Sequence, residues 1–578
     1  MKTYYTQNSK YGYYDNDGNF APCGKEIVVV KKLESIEAIE TRFELQFDSG
    51  GNTKTIQSSF VSLQSDLENA GYGVDDKFRR HLVPYIQQQL NNLPCIYFFK
   101  ELGWCEHQGK QCFKAYQLKS GTVQAEYNGI YTIKPHSDTS GFIAGIKSTI
   151  LPNNKLVLAM VIGLSACVVG FLKNNAVNVD SIIYNIFGRS TTGKTTAAKL
   201  ATSMGGSVFT NSSDKRSLFG NCSATANAIE ERLNGNYGYP TVLDEIGRLK
   251  KDIDVTQLIY DIAEGTNKDR LDSNSKLKKP KIWATGVILT GEFSILSKVN
   301  KTDGVGLRVL TFEFPNWTQS ADEAHSVEIF ITKFSGIGID MLADEMLLHK
   351  PDVIVRAFWR IVKIAKQKLS ISPDYRERVG KNIAVMLLTA LLARRAFRIG
   401  LDIKNLESLI LQSINGSQQC PMWQIAYEDF CTFVRRNVVI FNFKDVNMHG
   451  NPKWSSHSSY TPPHKDAGFI QYKQDKHEFD FVFITVTEFD TWFETKDFPD
   501  KNPILQEWER NGLMDFKDTS HKEMVRKISP TKNNKHHGYK IYFKDIFDED
   551  DEDDEPDESN DESSTNKINL KDLLNDDE

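Results

Sequence analysis

The chain has 578 residues, enough for three or four domains, and its 34 Phe and 21 Tyr within 40% hydrophobic content suffice to fill folded cores. Its eight cysteines, at 23, 95, 105, 112, 167, 222, 420 and 431, form no CxxC pair and no Cys/His quartet of zinc spacing. That excludes a disulfide-stapled scaffold and, with no secretory signal at Met1-Lys-Thr-Tyr-Tyr, predicts a reduced, cytoplasmic protein. The net charge of −6 hides an asymmetry: residues 548–578 hold sixteen acids and two lysines, so the tail carries −14 and the remaining body +8, the balance of a nucleic-acid binder with an acidic appendage.

Residues 1–150 show short β-like runs (KEIVVVKKL, RFELQF, QCFKAYQL, GIYTIK) around one helical piece, HLVPYIQQQLNN. They predict an α+β domain for oligomer contacts or a DNA-binding collar, and nothing in them decides between the two. LVLAMVIGLSACVVGFL, Leu156 to Leu172, is seventeen uncharged residues, at the lower edge of a membrane-spanning length. Its Ser, Cys and two Gly, and its place about ten residues before the next strand, favour a buried helix packed on a sheet.

IIYNIFGRSTTGKTTAAKLA, Ile182 to Ala201, is a buried strand, a glycine-rich turn and a helix in G-x-x-x-x-G-K-[ST] order. In Gly188, Arg189, Ser190, Thr191, Thr192, Gly193, Lys194, Thr195 and Thr196 the glycines let the backbone curl so that its N–H groups face a nucleotide phosphate. Lys194 supplies charge to the β/γ oxygens, the Thr195 hydroxyl is a ligand for Mg²⁺, and the helix N-terminus faces the anion. The expected substrate and cofactor are therefore ATP and Mg²⁺.

YPTVLDEIG follows, a short strand ending in Asp244-Glu245. Asp244 is the candidate metal partner and Glu245 the base that polarises water. Paired acids favour hydrolysis over small-molecule phosphoryl transfer, in which a substrate hydroxyl replaces the water. KDRLDSNSKLKKPK, Lys268 to Lys281, reads as a β-hairpin with a polar tip, whose Lys276, Lys278 and Lys279 are candidate contacts for the phosphates of a DNA strand. KIWATGVILTGE is a further strand ending in the polar Thr290, and GVGLRVLTFEF places Arg308 at the entry of a β-run.

IVRAFWRIVKIAKQ and IAVMLLTALLARRAF have helical apolar spacing and predict a helical lid over 346–441, with Arg376 and Arg378 near the start of a long helix. Residues 442–476, rich in Ser, Pro, His and Gly, read as a linker or long loop. Over 477–547, strand, helix, helix and a basic hairpin follow the order of a winged helix, with Lys532 and Lys535 in the basic turn as candidate DNA contacts. The tail 548–578, twelve acids in its first fifteen positions, is expected to be disordered.

The order of FGRSTTGKTT, TVLDEIG, ATGVILTGE and the Arg308 segment resembles that of ring-forming AAA+ ATPases. More narrowly, with RERVGKNIAVMLLTALLARRAF behind it, the chain resembles the replication-initiator helicases of mobile genomic islands and cassette chromosomes of Gram-positive bacteria. Those proteins are similar to the mini-chromosome-maintenance helicases, and the likeness covers about residues 150–400. It implies a multidomain α/β protein: a central P-loop AAA+ parallel sheet core over 151–345 with a helical lid, an α+β N-terminal domain and a C-terminal winged-helix-like domain. It also implies a homohexameric ring that unwinds DNA, binding both single- and double-stranded forms. In such a ring Thr290 is a γ-phosphate sensor, Arg308 reaches the neighbouring subunit's site, and Arg376 or Arg378 is a second sensor touching nucleotide.

Two rival readings remain open at this level. One is an initiator or helicase loader that uses ATP as an assembly switch; the other is a protein-remodelling ATPase, disfavoured because the hairpin is lysine-rich and lacks an aromatic tip. The acidic tail is a candidate handle for host replication proteins.

Overall fold

The computed structural model describes residues 2–38, 40–73, 76–210, 215–250, 252–268, 277, 279–299, 303–371, 373–416, 422–446, 452–454, 467–473, 478–496, 498, 501–515, 522–525, 528 and 535–544. The acidic tail, Lys276, Lys278 and Lys532 lie outside them.

The N-terminal region begins with a three-stranded antiparallel sheet, Tyr5–Gln7, Lys10–Tyr14 and Phe20–Lys25. It adjoins a five-stranded sheet in the order Ala125–Tyr127, Cys95–Phe99, Val28–Ser35, Thr41–Ser49, Asn52–Ser59. Strand Thr41–Ser49 alternates, burying Phe43, Leu45 and Phe47 while its other side chains stay nearer solvent. That period of two packs one face of the sheet on helices Leu63–Asn69 and Asp76–Leu90 through Leu67, Leu82 and Ile86.

The expected boundary near 150 is displaced. Hydrophobic packing continuous with the central sheet reaches back to Phe99. Strand Leu102–His107 pairs in parallel with Asn236–Tyr237 from the middle of the chain, and the Trp104 Nε1 donates to the Cys167 carbonyl at 2.8 Å. A pairing across more than 130 residues has no local sequence signature.

The central sheet is parallel throughout, in the order Phe219–Asn221, Thr241–Asp244, Gly286–Gly291, Ile182–Phe187, Val309–Glu313. The strand that ends in Thr290-Gly291 therefore lies between the strand that enters the glycine-rich turn and the strand that ends in Asp244. Covered on both faces, these strands read as near-continuous apolar runs, as parallel strands do.

Helix Asn154–Asn174 passes through the middle of the protein with every residue from Leu156 to Leu172 buried. It is the one helix among the described residues long and apolar enough to cross a membrane, and 94% of its apolar window is buried within the fold. Its glycines explain the packing. A Cβ on Gly163 would stand 2.2 Å from the Ala201 carbonyl oxygen, and one on Gly170 would stand 2.2 Å from that of Tyr237. Backbone meets backbone at both places, which only glycine permits. Helices Ile337–Leu347, Pro351–Gln367, Pro373–Ala396 and Ile403–Gly416 complete the same core.

A separate core begins at helix Met422–Arg436, which the sequence reading had placed in the lid. The sheet there runs Pro452–Trp454, Phe441–Val446, Gly468–Tyr472, Phe479–Thr485, His536–Tyr542, Glu523–Val525. Residues 442–476, expected as linker or loop, thus contribute three strands. Phe441, Phe443, Phe469 and Ile470 are the apolar side chains that bind the longer two into the sheet, and most of the Ser, Pro and His content falls in 455–466, outside the described residues. Helices Val486–Glu494 and Lys501–Arg510 cover one face through Phe489, Trp492, Leu505 and Trp508.

Candidate functional site

Ligands of open parallel sheets lie beyond the carboxyl ends of the strands. At that edge Phe187 leads into a turn that needs left-handed backbone at Thr191 (φ 63°) and Gly193 (φ 84°), with Gly188 at φ 137°. Gly193 is constrained twice, since a Cβ there would also stand 2.7 Å from the Thr318 hydroxyl. The Trp317 N–H donates to the Thr192 carbonyl at 2.6 Å and ties the turn to the segment after the last strand. Helix Lys194–Ser203 starts directly behind, so its free N–H groups face the turn. The Lys194 ammonium, nearly buried, folds over the turn and donates to the Arg189 carbonyl at 2.5 Å.

Asp244, Glu245 and Thr290 come together at the ends of adjacent strands. The Thr290 hydroxyl donates to Asp244 Oδ1 at 2.5 Å and accepts the Glu245 backbone N–H at 3.1 Å. The Thr195 hydroxyl lies 3.4 Å from the same Asp244 oxygen. Glu245 sits at φ 64°, a left-handed conformation that turns its side chain out of the strand's path and places its carboxylate over Gly247. Behind Asp244 is the Cys222 thiol, pushed up to about 12 by burial and then by the charges of Asp244 and Glu245.

Thr195 and Asp244 are the groups that fit Mg²⁺. No cluster of three His, Cys, Asp or Glu occurs among the described residues. A magnesium ion, which keeps most of its waters and takes substrate phosphates as ligands, needs no such cage.

Some of this neighbourhood was invisible in the sequence. The Ser190 hydroxyl donates to Glu292, two residues past Thr290. Beside the turn lies an open cleft of about 660 Å³ between Thr191–Thr196 and the segment Asn316–Glu328, including Thr318, Ser320 and His325. FPNWTQSADEAH carries no motif that signals it; the helix cap at Ser320, which accepts the Glu323 N–H, is its one legible feature.

Arg308 and Arg378 lie at the opposite edge, where the strands begin. Arg308 precedes Val309, while Arg378 holds Asp180, two residues before Ile182, at 3.3 Å. Strands of six residues separate this edge from the turn by about 20 Å. Neither guanidinium reaches the glycine-rich turn of its own chain. Arg308 lies over the Tyr260 ring at 4.3 Å and donates to the Gly304 carbonyl at 2.7 Å. Burial, and then the nearby Arg378 charge, hold its guanidinium below the usual range. Arg376 instead donates to the Ile371 carbonyl within its own chain.

The hairpin expected over 268–281 has its base in place: Thr266 bridges Ile282, and Asn267 and Lys281 exchange two hydrogen bonds. Lys279 is exposed beyond it. Lys535 is exposed before strand His536–Tyr542.

A family described as a domain of unknown function, DUF927, matches residues 8–282, crossing from the N-terminal sheets into the central one. No curated protein matches the chain by sequence. Among solved structures, one described as "SCCmec type IV Cch - active helicase" is similar with a TM-score of 0.71 at 21% identity, over 94% of this chain and 98% of that one. At that identity the likeness establishes a shared fold along nearly the whole length. A second, the apo NrS-1 C terminal region, has a TM-score of 0.24 at 10% identity over 71% of this chain and 91% of that one, too low to carry an argument.

Proposed function

We propose that the chain is an ATP-driven DNA helicase and replication initiator of a mobile cassette element, built on an AAA+ core and working as a ring. The observation that carries this is the division of the chemistry between two edges of one sheet. The phosphate turn, Lys194, Thr195, Asp244, Glu245 and Thr290 occupy one edge, and Arg308 with Arg378 occupies the other. A site that needs an arginine to neutralise the departing phosphate is then completed by the facing edge of a neighbouring copy. The fold shared with a protein described as an active helicase, and the mobile-element context in that description, support the same reading.

In this scheme Lys194 and the turn's N–H groups hold the β/γ-phosphates. Thr195 and Asp244 hold Mg²⁺, which when bound neutralises charge on those oxygens. Glu245 polarises the attacking water, and Thr290 keeps Asp244 and the Glu245 backbone in register. Arg308 and Arg378 act on the neighbour's nucleotide. Lys279 with Lys276 and Lys278 grips the threaded strand's phosphates, while the C-terminal domain, winged-helix-like in the sequence of its helices and hairpin, engages duplex DNA through Lys532 and Lys535.

The test pairs two inactive variants. Glu245→Gln alone abolishes ATP turnover and strand separation while sparing DNA binding. Arg308→Ala alone lowers turnover about 10³-fold or more. Mixed, the two restore turnover, because some interfaces then combine an intact Glu245 with an intact Arg308. Absence of restoration refutes the shared site. Wild-type protein that hydrolyses ATP without parting a forked duplex refutes the helicase and leaves an ATP-switched loader.

A further inference from the structure

The outer face of the three-stranded N-terminal sheet lies far in sequence from the nucleotide edge and has no part in the scheme above. Its inner face is occupied: Tyr11 stacks on Tyr85 with centroids 4.3 Å apart, and Tyr11 is fully buried. Strand alternation then puts Tyr5, Lys10, Gly12 and Tyr14 on the other side, with Phe20 opposite Tyr14 and Lys25 opposite Lys10. Tyr5 and Tyr14 are 48% and 51% exposed, large values for rings of that size.

Three rings there form one continuous surface. Tyr5 meets Tyr14 edge-on with centroids 5.3 Å apart, and Tyr14 meets Phe20 at 5.7 Å. Gly12 keeps the centre low: a Cβ there would stand 2.8 Å from Phe20 Cζ, so the Phe20 ring lies across the glycine.

Next to the rings, Lys10 and Lys25 are direct cross-strand partners, both exposed, and neither has an ion pair among the described residues. Like charges directly opposite one another weaken a sheet. An anion between them removes that cost. Both lysines also border an open cleft of about 550 Å³ that contains Glu26 and Asp48.

We propose that this face binds single-stranded nucleic acid, with bases stacked on Tyr5, Tyr14 and Phe20 and the backbone phosphates on Lys10 and Lys25. Exposed aromatics beside unpaired lysines are the two components of sequence-tolerant single-strand binding. A duplex keeps its bases stacked on each other and offers these rings nothing. The proposal does not depend on nucleotide hydrolysis, so it is tested in a background where the ATPase is dead.

In full-length Lys194→Ala protein without nucleotide, a fluorescent oligo-dT is titrated and an iodouracil-substituted oligonucleotide is photocrosslinked and mapped. The expected crosslinks fall on Tyr5, Tyr14 or Phe20. Tyr5→Ala/Tyr14→Ala weakens oligo-dT binding about tenfold or more and leaves duplex binding unchanged. Lys10→Gln/Lys25→Gln reduces the slope of log affinity against log salt by about 1.4. Both pairs are exposed, and melting temperature monitors the fold.

Unchanged oligo-dT affinity with no crosslink on these rings overturns the proposal. So does a change in oligomer size with unchanged DNA binding, which makes the face a contact between copies. Failure here leaves the shared ATPase site untouched, because that site is read by the mixing experiment.

Discussion

Replacing Thr290 with valine removes one oxygen and nothing else of size from a position that is 2% exposed. That oxygen both donates to Asp244 at 2.5 Å and accepts the Glu245 N–H at 3.1 Å. A hydrogen bond to a charged group contributes about 1.5–3 kcal/mol. If that interaction acts to orient the two acids during hydrolysis, its loss lowers kcat about 10- to 150-fold. Nucleotide affinity, which the proposed scheme assigns to the glycine-rich turn and Lys194, changes little. Steady-state ATP turnover and titration with a fluorescent nucleotide separate the two quantities. Thr290→Ser, which keeps the hydroxyl, returns kcat to within a few-fold of wild type. A valine variant with kcat within twofold of wild type refutes the orienting role, and one that loses nucleotide affinity at unchanged kcat assigns Thr290 to binding.

Gly163→Ala forces a methyl into the Ala201 backbone and destabilises the protein by about 1–3 kcal/mol; a variant with unchanged melting temperature means the helix is not packed as described. Glu37 accepts the Lys100 and Glu101 N–H groups and pairs with the buried Lys114 at 2.8 Å. Glu37→Ala costs about 3 kcal/mol in urea unfolding, the low end for a broken buried pair because Glu101 still reaches Lys114 at 2.9 Å. Adding Lys114→Met recovers most of that loss, and a double variant no better than the single one contradicts the pairing. Burial lifts the thiols of Cys105 and Cys431 to about 11 and that of Cys222 to about 12. The folded state therefore holds these protons more tightly than the unfolded chain, near 8.5. Their stabilisation is complete below that value and is lost as pH rises through the folded values. Melting temperature in reducing buffer falls between about pH 9 and 11, and less steeply when the three are replaced by alanine; equal slopes refute the assignment.

The candidate edge was legible because phosphate-binding chemistry, as proposed for it, demands residue types at short spacing. Gly188, Gly193, Lys194 and Thr195 sit within eight positions, and the strands ending in Asp244 and Thr290 each carry their own apolar run. What long-range contact decides was not legible. Glu292 meets Ser190 across 102 residues, and Thr318 closes on Gly193 from beyond the last strand. Likewise Phe441–Val446 pairs in parallel with Gly468–Tyr472 across a segment whose Ser, Pro and His content reads locally as loop. Composition describes what joins two strands and says nothing of whether they meet. The two C-terminal helices were legible where Phe489, Trp492 and Trp508 mark their buried faces, and strands Glu523–Val525 and His536–Tyr542 pair on either side of the basic segment read as a turn.

Helix Asn154–Asn174 touches helix Lys194–Ser203 backbone to backbone at Gly163, and about two turns further on it meets the Tyr237 carbonyl at Gly170. Helix Pro373–Ala396, which carries Arg378, packs along it as well. With no side chain to yield at either glycine, the two contacts hold the helix to its neighbours without slack, and a substitution at either is felt along the whole rod.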